Sequence, residues 1–304
     1  MTRQTGRVEL AAPAKVNLYL KITGRREDGY HEIQTYLQKI SLSDRIEMER
    51  RSEGVTLRCP DSDLPENEEN LAFRAAELFM ERFAGLISGG AAGVAITLRK
   101  SIPVAAGLGG GSSDAAAVLR GMHVLFGSFC SEEELLELGG ELGADVPFFV
   151  AGRAAAWATG RGDLLHFARP LEGYRMIVVN PGYSVSTKWV YENFALTTAT
   201  NKTNLNILQN SESGQDLRKV IGRRPIRPAE MTNDLEPVTS SQYREIDIMK
   251  EALLRHGAVA AMMSGSGPSV FGLFPEDKGR EAAACEHELK KRFQFVRLVE
   301  PLQV

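Results

Sequence analysis

Cysteine is scarce in this chain of 304 residues: Cys59, Cys130 and Cys285 are odd in number and widely separated. That excludes a disulfide framework and offers no spacing for a zinc site. The five histidines form no H-E-x-x-H, and C-x-x-C is missing. No apolar run approaches the roughly 20 residues needed to span a bilayer. Residues 1–9 are polar and lack a signal-like apolar region. An excess of one charge is lacking too, since 36 Lys and Arg against 39 Asp and Glu leave a net −3. No basic stripe therefore offers itself to nucleic acid or to an anionic membrane. The pairs Arg25-Arg26, Arg50-Arg51 and Arg223-Arg224 are short and read as solvated surface. The expectation is a cytoplasmic protein that binds no nucleic acid or membrane, has no metal site of its own, and receives any metal with its substrate.

Glycine, by contrast, is plentiful where it matters. Residues 103–114 read P-V-A-A-G-L-G-G-G-S-S-D, and a helix-forming run, Ala115–Leu125, follows at once. Glycines remove the side chains that keep a backbone from wrapping closely around a ligand. Ser112, Ser113 and Asp114 are expected to cap the helix, whose first N–H groups lack intrahelical partners. Such a cradle suits an anion, phosphate above all. No Gly-Lys-Ser/Thr closes it, so it is not a Walker loop. No acidic residue ends a strand about 20 residues later, which argues against a dinucleotide fingerprint.

Alternating apolar residues predict strands at Val16–Ile22, Val55–Leu57 and Val94–Leu98, and helical spacing predicts a helix over Leu71–Phe83. Ser131 and Glu134 form a capping box before a second helix. Further on come a strand (Met176–Asn180), a helix (Thr187–Phe194) and an unassigned polar stretch (Thr197–Arg227). The end reads as helix Ser241–His256, strand Val259–Met263, a glycine turn, strand Val270–Phe274, helix Asp277–Arg292 and strand Phe293–Val299. This order fits a ferredoxin-like split βαβ domain. The expected fold class is α+β in two domains, 1–165 and 166–304.

Two charged residues stand where charge is awkward. Lys15 lies in A-A-P-A-K-V-N and Asp145 in G-A-D-V-P-F-F. Read locally, Lys15 is a snorkelling edge lysine and Asp145 a turn or cap aspartate. If both faced one cleft they would make an acid–base pair. Tyr30-His31 follows a turn, either as structural residues or as a base-stacking pair. The cluster M-S-G-S-G-P-S at 263–269 reads as a hairpin turn or as a second surface closing on a nucleotide.

Together, P-A-K-V-N-L at 13–18, the 103–113 loop and the later G-S-G-P resemble the three motifs of the small-molecule kinases named for galactose, homoserine, mevalonate and phosphomevalonate. With G-R-R-E-D-G-Y-H at 24–31 and G-A-D-V-P-F-F at 143–149, the chain is similar to the branch acting on a cytidine diphosphate sugar-alcohol in the non-mevalonate route to isoprenoid precursors. The resemblance implies an N-terminal ribosomal-protein-S5-domain-2-like α/β domain and the C-terminal ferredoxin-like one. It also implies ATP as phosphoryl donor, with Mg²⁺ brought by the nucleotide. It gives Asp145 the role of general base and Lys15 that of charge stabiliser. ATP would lie on Pro103, Val104, Ala105, Ala106, Gly107, Leu108, Gly109, Gly110, Gly111, Ser112 and Ser113. Asn17, Tyr30, His31, Thr187 and Tyr191 would bind the cytidine substrate, with Trp189 competing with Tyr191. Asn70, Leu71 and Lys100 would lie near the adenine. The chain departs from the family at Gly160-Arg161-Gly162-Asp163, where Gly-x-Gly-Glu is common and the arginine has no local explanation. A mevalonate- or homoserine-type acceptor, and a nucleotide-binding protein without catalysis, are the alternatives. Tyr30-His31 argues against the first, and the joint presence of Lys15 and Asp145 against the second.

Overall fold

The computed structural model describes residues 2–4, 6–87, 92–200 and 225–304. Most of the polar stretch Thr197–Arg227, at 201–224, lies outside the described residues. By internal packing the chain forms two compact units. The first comprises Met1–Ala14, Leu42–Val104 and Gly109–Arg153, and the second Lys15–Ser41, Ala105–Leu108 and Ala154–Val304.

The first unit begins with strand β1 (Thr2–Gln4) and stretches of two long strands, β2 (Arg7–Arg25) and β3 (His31–Arg51). Strand β4 (Glu53–Arg58), helix α1 (Leu71–Arg82) and strand β5 (Ala92–Arg99) follow. The strand order is β1-β2-β3-β5-β4, with β4 and β5 parallel. Helices α2 (Gly110–Leu125), α3 (Glu132–Leu142) and α4 (Val146–Val150) complete it.

Helix α1 starts where Asn70 Oδ1 accepts the Ala72 N–H at 3.0 Å. It buries Ala72, Ala75, Ala76 and Phe79, the i, i+3, i+4, i+7 stripe of an amphipathic helix. The Phe79 ring lies 4.9 Å from Phe83 and 6.0 Å from Phe129. The expected Ser131–Glu134 capping box opens α3. The apolar Phe148-Phe149-Val150 run becomes the fully buried α4.

The second unit continues with β6 (Ala155–Thr159), β7 (Leu164–Phe167), β8 (Tyr174–Asn180), α5 (Thr187–Thr200) and β9 (Thr232–Asn233). Then come α6 (Glu236–Gln242), α7 (Glu245–Arg255), β10 (Ala260–Met263), β11 (Val270–Pro275), α8 (Gly279–Leu289) and β12 (Phe295–Val299). Strands β10-β11-β8-β12 form an antiparallel sheet. That is the ferredoxin-like order read from the sequence. Helix α7 packs its Leu253 so closely on β11 that a Cβ at Gly272 would lie 3.1 Å from it.

The single helix expected over Ser241–His256 is two. Tyr243 leaves helical geometry (φ −123°, ψ 87°), and its ring stacks 5.2 Å from Tyr183. Aromatic packing there outweighs helix continuity. The last helix also begins later than expected, after a 3₁₀ turn at Glu276–Lys278.

Phe79 is fully buried at the centre of the first unit's aromatic cluster. Phe79→Ala should therefore cost about 3–5 kcal/mol, the usual range for deleting a core ring, measured by denaturant unfolding.

Candidate active site

In the second unit the site is built on the part of β2 from Lys15 onward. Its even-numbered residues from Val16 to Ile22 are all buried and apolar, as the two-residue period requires. Lys15 and Asn17 share the opposite face, yet they too are buried, at 5% and 4% exposure. Lys15 is therefore no snorkelling edge lysine. Its Nζ donates to Asn17 Oδ1 at 2.7 Å, and Asn17 Nδ2 donates to Thr35 Oγ1 on β3 at 2.8 Å.

The segment Ala105–Leu108 is tied to the same place. The Lys15 N–H donates to the Leu108 carbonyl at 2.9 Å. Ser264 Oγ donates to the Gly107 carbonyl at 2.9 Å and accepts the Asn17 N–H at 3.3 Å. Gly107 has φ +75°, and a Cβ on it would lie 2.1 Å from the Ser264 carbonyl oxygen. Only glycine fits there. The 263–269 cluster thus closes the β10–β11 hairpin and also clamps the loop. Asn233 holds the clamp from behind, donating to the Met263 and Gly265 carbonyls at 2.8 Å each.

An aromatic wall stands in this unit. The His31 ring lies 5.2 Å from Tyr191 and 6.1 Å, edge-on, from Phe194. Burial, then the Arg25 charge, pushes the His31 imidazole below its usual range. Tyr30 is 59% exposed, with the Arg161 guanidinium 5.4 Å over its ring. The arginine that lacked a local explanation is thus a cation–π partner of the displayed tyrosine. Asp163 retains the turn, its Oδ1 accepting the Arg161 N–H at 3.0 Å. Thr187 Oγ1 lies 2.8 Å from Ser266 Oγ, at the start of α5. Of the two competing aromatics, Tyr191 faces His31 while Trp189 packs edge-on to Tyr243.

In the first unit, α2 does not begin as expected. Its N-cap is Gly109 in the left-handed region (φ 71°, ψ 18°), with no side-chain cap. Gly110, Gly111, Ser112 and Ser113 are already helical, so Ser112, Ser113 and Asp114 are not caps. The first amides of the helix thus have no side-chain cap. Asp114 instead turns inward and accepts from Lys100 Nζ at 2.7 Å, while Asp44 shares the same ammonium. Asp44 Oδ1 also accepts the Ser101 and Ile102 N–H groups at 2.5 and 2.8 Å. This carboxylate therefore shapes the chain entering Pro103 and Val104. Among the described residues, Asp114 Oδ1 and the Ser113 hydroxyl are buried without hydrogen-bond partners.

Burial and the neighbouring Asp44 raise the Asp114 carboxyl to about 7, against the pull of Lys100. Lys100 is itself raised: the two aspartates outweigh its burial, which alone would lower it. Asn70 caps α1 and donates to the Pro65 carbonyl at 2.9 Å. Asp145 precedes α4 at its N-cap, half-buried, and makes no cap bond to the helix. Thr35 and Asp44 carry no local signal in the sequence, because their roles depend on partners distant in the chain.

The GHMP kinases N terminal domain profile matches residues 70–153, and the GHMP kinases C terminal profile matches 223–293. The fold and the glycine loop are those of a GHMP small-molecule kinase. A 4-diphosphocytidyl-2-C-methyl-D-erythritol kinase from Desulfotalea psychrophila is 44% identical over 283 residues, covering 90% of this chain and 88% of its own. One from Syntrophus aciditrophicus is 43% identical, covering 90% and 93%. The crystal structure of a 4-(cytidine 5'-diphospho)-2C-methyl-D-erythritol kinase superposes with TM-score 0.73 at 32% identity, covering 97% of this chain and 100% of that one. The chain belongs to the 4-diphosphocytidyl-2-C-methyl-D-erythritol kinase family, and is an enzyme that transfers phosphate to an alcohol.

The folded Asp114 carboxyl, at about 7, holds a proton that the unfolded chain releases near 3.8. Its contribution to stability is thus full below about pH 4 and lost as the pH rises towards about 7. Denaturant titrations across that range should show a smaller fall in unfolding free energy for Asp114→Asn than for the wild type.

Proposed function

We propose that this kinase transfers the γ-phosphoryl group of ATP to the 2-hydroxyl of 4-diphosphocytidyl-2-C-methyl-D-erythritol, in the cytoplasm, within isoprenoid precursor synthesis. The observation that carries the substrate is the aromatic wall of His31, Tyr191 and Phe194 beside the displayed Tyr30. A pyrimidine stacks on such a surface, and an imidazole ring nitrogen reads its edge. A mevalonate-type acceptor has no base to use it. Asn17, Thr187 and Tyr191 complete the substrate residues.

The triphosphate lies on the amides of Pro103–Ser113. The loop's backbone is held from outside by Ser264 and Asp44, so its glycines need no side chains to stay in place. Phosphoryl transfer asks for positioning and charge stabilisation more than covalent chemistry. Asp145 takes the proton of the acceptor hydroxyl. Lys15 offsets the negative charge that develops on that oxygen.

Among the described residues no group of three His, Cys, Asp or Glu is placed to hold a metal. Mg²⁺ enters with the nucleotide, and the Ser113 hydroxyl, without a partner among the described residues, is an oxygen suited to a hard cation. When bound, the ion neutralises phosphate charge. Among the described residues no helix is long and apolar enough to cross a membrane.

Purified protein with Mg-ATP should release ADP with the cytidine substrate and not with mevalonate. ADP release with mevalonate alone would overturn the substrate assignment. Asp145→Asn should lower kcat about 10²–10⁴-fold, the range for losing a general base, with nucleotide affinity nearly unchanged. His31→Ala should instead raise KM for the cytidine substrate in steady-state assays, leaving kcat within a few fold.

A further inference from the structure

We infer that Thr35 is a positioning residue for phosphoryl transfer: its hydroxyl sets the direction of the Asn17 amide, and through it fixes the Lys15 ammonium. The inference rests on the role proposed above for Lys15. Four groups form a buried chain whose proton polarity is fixed.

The chain starts at the Tyr19 backbone carbonyl, which can only accept. Thr35 Oγ1 lies 2.6 Å from it and gives it the single hydroxyl hydrogen. The Thr35 oxygen then has only lone pairs left to offer. The neighbouring Asn17 side-chain atom, 2.8 Å away, must therefore be the NH₂. That leaves Asn17 Oδ1 facing Lys15 Nζ at 2.7 Å, an acceptor against a cation. The opposite amide orientation would set NH₂ against ammonium and a carbonyl against an oxygen with no hydrogen to give. Two hydrogen bonds would be lost in a region where Thr35, Asn17 and Lys15 are exposed by only 2%, 4% and 5%. Unsatisfied polar groups are costly at such depth. The second neighbour of Asn17 Oδ1, Ser264 Oγ at 3.5 Å, is already engaged with the Gly107 carbonyl at 2.9 Å and cannot replace Thr35.

Strand geometry supplies the alignment. Lys15, Asn17 and Tyr19 are alternate residues on one face of β2, and Thr35 lies on β3. The four groups are thus carried on rigid strands, as a positioning device requires. A valine at 35 would fill the same volume but could neither donate to Tyr19 nor accept from Asn17.

The test compares Thr35→Val, Thr35→Ser, Asn17→Ala, the Asn17→Ala/Thr35→Val double variant and Lys15→Met, each in steady state with Mg-ATP and the cytidine substrate. Thr35→Val should lower kcat about 10–100-fold, the scale on which a misplaced group slows an enzyme, with KM for ATP within about twofold of wild type. Thr35→Ser, which keeps the hydroxyl, should restore kcat to within about threefold. Thr35→Val should add little to Asn17→Ala, because both break one chain. Equal losses in Thr35→Val and Thr35→Ser, or fully additive losses in the double variant, would reduce Thr35 to a packing residue. Normal kcat in Thr35→Val with an inactive Lys15→Met would also overturn the inference. Normal turnover in Lys15→Met would instead remove the reading on which it rests. Should Thr35→Val fail to fold, Thr35→Ala and its double variant with Asn17→Ala give the same comparison.

Discussion

The hydroxyl of Ser264 is the hub of the second unit. It gives its hydrogen to the Gly107 carbonyl and takes one from the Asn17 N–H, so one atom joins the β10–β11 turn, the glycine segment and β2. Glycine at 107 is the condition for that contact, since any Cβ would collide with the Ser264 carbonyl. A loop that must wrap a ligand without side chains needs its shape imposed from outside. Here the imposed shape comes from a hairpin far along the chain, itself held by the Asn233 amide.

Buried charge is handled in two ways. Lys15 Nζ donates to the neutral side-chain amide of Asn17. Lys100 is met by two carboxylates, one of them also holding two backbone amides. The carboxylate pair offsets the Lys100 charge and ties it to the chain that leads into the glycine loop.

Much of this was legible in the sequence. The Ser131–Glu134 box, the alternation in β2 and the βαββαβ order at the end depend on neighbours within a few residues, and each stands in the structure. The glycine loop and the awkward placement of Lys15 were also readable, because a cation between Ala14 and Val16 breaks the local pattern. The N-cap of α2 is not legible locally: Ser-Ser-Asp is a common capping string, but Lys100, 14 residues earlier, holds Asp114 inward, and the cap is Gly109. The break at Tyr243 was hidden for a similar reason, since the ring that stops the helix packs on Tyr183. Arg161 has no local explanation in the sequence, because the Tyr30 ring beneath it comes from a distant turn. Thr35 is an ordinary strand threonine until its partners are seen.

The bond from Asn17 to Ser264 spans 247 positions of chain. A ribosome makes Asn17 and the glycine segment well before the serine that joins them. Long-range closures of this kind form late. The nascent polypeptide therefore carries Gly107 through 157 further residues of synthesis before the turn that gives the segment its form. That form is delivered with the β10–β11 hairpin rather than with the stretch that bears the glycines, so a chain released before Ser264 would lack it.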